Sequence, residues 1–218
     1  MTFSKKHIFL HKRVLSLNGM TSCIFDHIFA HNFFPTFDKY TGILMTFGVF
    51  AAGFFMGPIG SVVMGSIGDR LGRKVALVIS VVIMIVPILV IACLPVYTSI
   101  GLLAPIILIL MRLIQGCSIG GSYGGVMVFM IESAKPNRRG FVASFATMSS
   151  GTGVFIASLV IIVLSGMLPE GSLADWGWRI AYLIGVLLAI MALVMRLSIP
   201  ESAAFKNYKD KVYFLLHL

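Results

Sequence analysis

Residues 75–111 read VALVISVVIMIVPILVIACLPVYTSIGLLAPIILILM, a run of 37 residues without Asp, Glu, Lys or Arg. A helix needs about 20 apolar residues to cross a hydrocarbon core of about 30 Å, so this run is too long for one span. Pro95 and Gly101, with the polar residues between them, are typical of a turn. The stretch therefore predicts two membrane-spanning helices, at about 75–94 and 102–131.

Three more charge-free windows, at 41–68, 140–169 and 180–195, extend the same pattern. They predict spans at about 41–67, 141–168 and 178–197, with a loop at 169–177 and with Trp176 and Trp178 as interfacial anchors. The chain is 58% hydrophobic and only 11% charged, whereas a soluble domain carries about 25% charged residues. The windows show no polar face, so we predict an all-α membrane protein.

The two ends of the chain differ from this pattern. Residues 1–40 hold a basic start and a ragged apolar run at 14–30, which we interpret as a weak first span. A signal peptide is the alternative, although no small-residue cleavage site follows the run. Residues 41–197 then carry spans two to six. Residues 198–218 are predicted to be a cytoplasmic loop or tail that stops short of a further span.

The positive charges are distributed unevenly between the two sides of the predicted membrane protein. Of 17 Lys and Arg, only Lys39 and Arg179 fall outside and Arg112 lies within a span, if six spans begin from a cytoplasmic N-terminus. Basic loops stay on the cytoplasmic side, so we predict that both termini are cytoplasmic. The net charge of +9 lies in short loops rather than in a nucleic-acid-binding module, so lipid is the expected partner and nucleic acid is not.

The most specific motif lies between spans two and three, where residues 65–74 read GSIGDRLGRK. This decapeptide resembles the signature loop of the major facilitator superfamily, which occupies the same position between the second and third helices. In that family the Asp is thought to cap a neighbouring helix and to pair with Arg, latching the cytoplasmic side. The resemblance implies a cytoplasmic gate motif made by Gly65, Asp69, Arg70, Gly72 and Arg73.

A second set of motifs narrows the resemblance. The segments RLIQG (112–116), GGSYGG (120–125), ESAKPNRRG (132–140), WRI (178–180) and IPES (199–202) are similar to the metabolite:H+ symporter branch. That branch includes proline/betaine, citrate, 2-oxoglutarate and shikimate carriers. The resemblance covers about 33–205 and implies the six-helix N-terminal half of such a transporter. It also implies gate partners, which are Glu132, Arg138 and Arg139.

Arg112 is the most informative single residue, because a charge inside a span costs about 2.5–3.5 kcal/mol on insertion scales. It is therefore expected to face a cavity or a partner; alternatively, it snorkels to an interface or binds backbone carbonyls of a neighbouring helix. The resemblance implies that it tunes proton coupling or meets an anionic group of the substrate. The predicted substrate and proton pathway comprises Arg112, Tyr123, Asp26 and Gln115.

The chain departs from the branch at the acidic positions. Ser122 stands where the branch commonly has an acidic residue, and only residues 23–26 (CIFD) are similar to the acidic and aromatic cluster of its first helix. Asp26 is then the carboxylate that could lie within a span and bind a proton. The alternative is that Asp26 and His27 lie at the membrane interface or in a mistranslated stretch.

Small residues recur at steps of four in two of the spans. Span two carries Gly53, Gly57, Ser61 and Gly65, and span four carries Gly116, Gly120 and Gly124. Small residues on one face allow helices to approach closely in lipid. The pattern predicts close helix packing, or, in a transporter, faces that slide during the conformational cycle.

The sequence shows no paired carboxylates, metal-ligand cluster or nucleophile motif, so we expect neither an enzyme nor a bound cofactor or metal. The resemblance implies alternating-access secondary transport of a small organic solute, such as proline/betaine or a carboxylate, coupled to protons. It places the protein in the inner membrane of a bacterium and requires a second six-helix half, as another chain or a second copy. The alternatives are a truncated, non-transporting remnant of such a carrier and a membrane scaffold or partner subunit.

Overall fold

The computed structural model describes residues 26–35, 38–132, 134, 136–169 and 171–198. Within these ranges the chain is helical and has no strands. The main helices are α1 (Asp26–Phe33), α2 (Lys39–Leu71), α3 (Arg73–Cys93), α4 (Leu103–Glu132), α5 (Arg139–Met167) and α6 (Trp178–Leu197). In the described part of the chain, 5 helical segments, which correspond to α2–α6, are long and apolar enough to cross a membrane. The all-α membrane fold predicted from the sequence is confirmed.

The break inside the long apolar run lies where its turn residues predict it. Helix α3 ends at Cys93, a single helical turn follows at Tyr97–Ile100, and Gly101 has a φ of 59° before α4 begins. At the N-terminal end, α1 overlaps only the last part of the weak first span predicted at 14–30. Residues 14–25 lie outside the described residues, as does almost all of the tail at 198–218, so both remain predictions.

The junction of α2 and α3 differs from the predicted loop at 65–74. Helix α2 continues to Leu71 and α3 begins at Arg73, so only Gly72 interrupts the helices. Gly72 has φ 112° and ψ 149°, a conformation that is essentially restricted to glycine. The polar residues of the motif therefore lie on helical backbone, and the predicted loop is reduced to one residue.

The connection before α6 also differs from the prediction. Within the predicted loop at 169–177, Leu173–Gly177 form a π-helical turn that runs directly into α6. Trp176 is 49% exposed, as an interfacial anchor would be, but Trp178 is 0% exposed. Its indole packs against Phe29 and Phe33 of α1, so the prediction that Trp178 anchors the interface is wrong. The sequence of α6 alone does not reveal that α1 covers this position.

The core forms around α3, whose Met84, Ile88 and Ile91 are fully buried. Helix α3 packs against both α4 and α6, and α2 packs most extensively against α4. Helix α5 lies at the edge of this group and contacts α4. The arrangement leaves one face of α2 and α4 uncovered, and the candidate site lies there.

The contact between α2 and α4 is made backbone to backbone. A Cβ added to Gly116 would overlap the carbonyl oxygen of Gly53, and one added to Gly120 would overlap that of Gly57. Close packing that needs a glycine is thus confirmed for Gly53, Gly116 and Gly120, whereas Gly57 contributes its backbone carbonyl and a Cβ on it would meet nothing within 4 Å. The prediction is wrong for Gly65 and Gly124, since a Cβ on either would meet nothing within 4 Å. Gly60, which the four-residue spacing missed, completes the contact against the carbonyl oxygen of Cys117.

Candidate solute site between the second and fourth helices

Arg112 lies inside the helix bundle. Its side chain is 5% exposed, and it follows Leu103, the first residue of α4, by nine positions. At 1.5 Å per residue this places it roughly 14 Å along the helix from Leu103, well inside α4. The alternative in which Arg112 snorkels to an interface therefore does not describe this structure.

Side chains from three helices hold the guanidinium group of Arg112. One terminal nitrogen donates to Oε1 of Gln115 on α4, and the other donates to the hydroxyl of Tyr182 on α6 at 2.5 Å. The rings of Tyr182 and of Phe29 on α1 each lie 5.9 Å from Cζ, within the range of a cation–π interaction. The charge is thus fixed by hydrogen bonds and aromatic faces, all from neutral groups.

The same aromatic side chains pack against one another. The ring of Phe29 lies 5.4 Å from that of Trp178 and 5.9 Å from that of Tyr182, the latter edge-to-face. Trp178 and Tyr182 also meet edge-to-face, at 6.0 Å. Such pairs contribute about 0.5–1.5 kcal/mol beyond the area they bury. This cluster restrains the hydroxyl that accepts the hydrogen bond from Arg112, and no sequence pattern indicated that α1 and α6 would form it.

The amide of Gln115 has a defined orientation. A guanidinium group has only donors, so the oxygen of Gln115 has to face Arg112 and the amide nitrogen points away from it. Gln115 is 2% exposed, and within the described residues its Nε2 has no hydrogen-bond partner. Leaving such a buried donor without an acceptor costs about 1–3 kcal/mol. The site therefore presents an unsatisfied N–H group.

Arg112 and Gln115 line an open groove between α2 and α4 with a volume of about 350 Å³. Phe50 and Phe54 of α2 form one wall, and Arg112, Gln115 and Tyr123 of α4 belong to the other. This volume is within the range of small-molecule sites, which are mostly apolar with a few polar groups. The structure thus brings together three of the four residues assigned to the substrate and proton pathway.

Two positions bear on proton binding: Asp26, and Ser122, which stands where the branch commonly has an acidic residue. Asp26 is the first residue of α1, and its side chain lies outside the described residues. Ser122 is 1% exposed, and its hydroxyl has no partner within the described residues. It is not among the described residues that line the groove. The branch's acidic position therefore lies beside the groove, and Asp26 stays a prediction.

At the α2–α3 junction, Asp69 and Arg73 of the gate motif form an ion pair of 2.8 Å, four residues apart. The side chain of Asp69 is 66% exposed and that of Arg73 is 23% exposed, while Arg70 is exposed. Asp69 lies in the last turn of α2, and α3 begins without a side-chain cap. The resemblance implies that Asp69 caps a neighbouring helix. Because α3 has no side-chain cap, that helix is not α3.

The predicted gate partners lie at the next connection on the same side of the bundle. Arg138 and Arg139 are exposed at the start of α5. Glu132 ends α4, and its side chain lies outside the described residues. Within the described residues the ion pair of Asp69 is with Arg73, so a contact with the gate partners stays a prediction.

Two basic residues to which the sequence assigned no contact, Lys74 and Arg196, join α3 to α6. Nζ of Lys74 donates to the carbonyl oxygen of Leu197 at 2.8 Å, and the guanidinium of Arg196 donates to that of Leu77. Arg196 is 4% exposed. A charged residue in the last turn of an apolar helix was the feature of the sequence that could have indicated this contact. These bonds tie the first turn of α3 to the last turn of α6.

The chain matches known proteins over most of its length. Residues 18–212 match the family described as sugar (and other) transporter. The chain is 46% identical to the alpha-ketoglutarate permease of Escherichia coli (strain K12) over 175 residues, which are 80% of this chain and 40% of that protein. It is 39% identical to a putative proline/betaine transporter of Staphylococcus aureus (strain COL) over 195 residues, which are 87% of this chain and 42% of that protein.

A solved structure shares the fold. The xylose transporter XylE from E. coli, in an inward-open conformation, superposes with a TM-score of 0.81 at 18% sequence identity. The match covers 92% of this chain and 48% of that one. The chain thus spans about two-fifths of the length of the curated relatives that it matches and about half of the structural one.

Proposed function

Because the chain belongs to the sugar (and other) transporter family of the major facilitator superfamily, we propose that it forms one half of a secondary carrier for a small organic solute. The observation that supports this most directly is a buried arginine that lines an open groove of about 350 Å³. A buried charge in a membrane span is expensive to maintain, and such charges mark solute or ion pathways by default. Transport would proceed by alternating access.

The solute is expected to carry a group that Arg112 binds. The relatives named above are described as carriers of alpha-ketoglutarate and of proline/betaine, so carboxylates and zwitterionic osmolytes are the two candidate classes. Tyr123 and Gln115 line the same groove and would contact the solute. Asp26 is the candidate for carrying a coupled proton.

A complete carrier would require a second half. Carriers of this kind bind solute near the bilayer midplane, between repeated bundles. The described lining of the groove comes from α2 and α4, and we propose that a second six-helix bundle, from another chain or a second copy, covers it. Its closure would exclude water from Arg112 and strengthen the binding of an oppositely charged group.

The orientation follows from the distribution of charge. Arg70, Arg73, Lys74, Arg138 and Arg139 lie at connections on one side of the bundle, and basic connections remain cytoplasmic. We propose an inner-membrane protein with the Asp69 motif on the cytoplasmic side. There the pair of Asp69 with Arg73 would contribute to a gate that opens and closes with the transport cycle.

The scaffold alternative draws less support from the structure. A membrane scaffold would present its glycine faces to other helices, but Gly53, Gly57, Gly116 and Gly120 are used inside the chain. A truncated, non-transporting remnant would show the same contacts, and it is consistent with a chain that spans about two-fifths of its relatives' length. The uptake experiment separates it from a working carrier.

The test is uptake of labelled alpha-ketoglutarate, proline and betaine into vesicles. One set holds the chain alone, and another holds the chain together with the second half of the E. coli permease as a separate polypeptide. We expect uptake of one solute class above that of either half alone, and its loss in Arg112→Gln. Uptake equal to empty vesicles in both sets, with both halves inserted, would contradict the proposal.

A further inference from the structure

The first helix contacts the π-helical turn that leads into α6. We propose that this turn, Leu173–Gly177, is a docking site for α1, and that Asn32 is the positioning residue that holds α1 there. Through this contact the ring of Phe29 is kept against the guanidinium of Arg112. The docking does not depend on the proposed carrier function, because it is a contact within the chain itself.

The backbone hydrogen bonds of the π-helical turn leave one carbonyl available. In a regular α-helix the backbone N–H of Trp178 would donate to the carbonyl of Ala174, four residues earlier. In this structure it donates to the carbonyls of Leu173 and Trp176 instead. The carbonyl of Ala174 therefore lacks the backbone donor that an α-helix would give it. Single π-helical turns of this kind are rare and frequently lie at functional sites.

A side chain of α1 takes the place of that missing donor. Nδ2 of Asn32 donates to the carbonyl oxygen of Ala174 at 2.8 Å, and also to that of Ile28, in its own helix, at 3.0 Å. Both N–H groups of the amide are thus used. Asn32 and Ala174 are 142 positions apart in the sequence, so this bond joins α1 to the entry of α6.

The docked position of α1 brings its aromatic rings over two buried side chains. Phe29, three residues before Asn32, lies 5.9 Å from Cζ of Arg112 and 5.4 Å from the ring of Trp178. Phe33 covers the same indole at 6.0 Å. Trp178 is 0% exposed, yet its Nε1 has no hydrogen-bond partner within the described residues. An unsatisfied buried donor disfavours the docked position, and the bond from Asn32 offsets part of this cost.

Exchange of the indole N–H of Trp178 with deuterated water, followed by NMR on the full chain in detergent, tests the docking. The chain has two tryptophans, and Trp176, which is 49% exposed, is the fast-exchanging reference. The buried indole exchanges only when the structure around it opens. Asn32→Leu keeps a side chain of similar size and removes the donor, so we expect the Trp178 indole to exchange about 2- to 10-fold faster.

Asn137→Leu is the matched control for this variant. Asn137 is exposed in the short helical turn before α5, far from α1 in the sequence. The same substitution there removes an amide side chain that the docking does not use. We expect the Trp178 indole of this variant to exchange at the rate of the unchanged chain.

Deletion of Trp176 acts on the acceptor instead of the donor. Trp178 then follows Leu173 by four residues, so the existing bond between them becomes an α-helical one, and the N–H of Arg179 is placed to take the carbonyl of Ala174. Asn32 would lose its acceptor although it is still present. We expect the deletion to speed exchange about as much as Asn32→Leu does, and the two changes combined to add nothing further.

Each result decides a different point. Equal exchange rates in Asn32→Leu and Asn137→Leu would overturn the positioning role of Asn32, whether or not the deletion variant folds. Effects of Asn32→Leu and of the deletion that multiply in the combined variant would overturn the π-helical turn as the docking site. No solute is present in these measurements, so a failed uptake experiment would contradict the proposed function alone.

Discussion

The hydroxyl of Tyr182 on α6 accepts a hydrogen bond of 2.5 Å from the buried guanidinium of Arg112 on α4. The two residues are 70 positions apart in the sequence. The bond therefore joins the part of the chain that lines the groove to the aromatic cluster that packs behind it. Stability and the candidate function depend on the same contact.

Replacing Tyr182 by Phe removes the acceptor and keeps the ring. We expect the free energy of unfolding to fall by about 1.5–3 kcal/mol, because a buried charged donor loses its partner. Denaturant unfolding in detergent micelles measures the change. Tyr40→Phe is the control, since Tyr40 is 85% exposed. An equal, small effect of both variants would show that the Arg112–Tyr182 bond adds no stability.

Gly120→Ala places a methyl group against the carbonyl of Gly57, where the helices have no room for it. Overpacking of this kind destabilises by about 1–3 kcal/mol, and we expect a correspondingly lower melting temperature. Gly124→Ala, one turn later on the same helix, meets nothing within 4 Å. It should leave stability unchanged or raise it by up to about 1 kcal/mol. Similar melting temperatures for both variants would rule out the close contact.

Ser118 and Ser122 are both fully buried on α4 but differ in their hydrogen bonds. The hydroxyl of Ser118 donates to the carbonyl of Ser80 on α3, whereas that of Ser122 has no partner within the described residues. We expect Ser118→Ala to lower the free energy of unfolding by about 0.5–1.5 kcal/mol. Ser122→Ala should be neutral or stabilising, because it removes an unsatisfied polar group. The reverse order in thermal unfolding would contradict this assignment.

Asp69→Asn removes the ion pair with Arg73 at the α2–α3 junction. Because Asp69 is 66% exposed, we expect a loss of stability of no more than about 1 kcal/mol and normal membrane insertion. In vesicles that contain both halves, uptake should be slower if the pair contributes to a gate. Asp175→Asn, another exposed acidic position, is the control. Unchanged uptake in Asp69→Asn would count against the gate role.

The spans could be predicted from the sequence because lipid imposes a length on every apolar run. Charge-free windows and turn residues placed α2 to α6 within a few positions, and the cost of an intramembrane charge singled out Arg112. Packing between helices could not be predicted in the same way. The burial of Trp178 depends on α1, and the bond to Tyr182 depends on how α4 and α6 are brought together. Motif resemblance identified Gln115, but only the geometry showed its unsatisfied donor.

The local backbone geometry of the α2–α3 junction could not be predicted from the sequence either. The motif at 65–74 has the composition of a loop, with glycines and charges, and yet it is helical except at Gly72. Charged side chains are compatible with helix where the helix leaves the membrane, and a single glycine in a conformation closed to other residues is enough to change direction. Composition does not distinguish a one-residue junction from a longer loop.

The glycine contact between α2 and α4 has no side-chain rotamers, so it offers no alternative packing into which the two helices could switch. Its carbonyl oxygens lie against Cα positions, where weak Cα–H···O bonds are common. We expect α2 and α4 to move as one rigid body whenever the carrier changes conformation. Phe50 on α2 would then keep its distance from Arg112 and Gln115 on α4 in every access state. A solute bound there would retain its orientation relative to this half of the carrier while the path to either side of the membrane opens and closes around it.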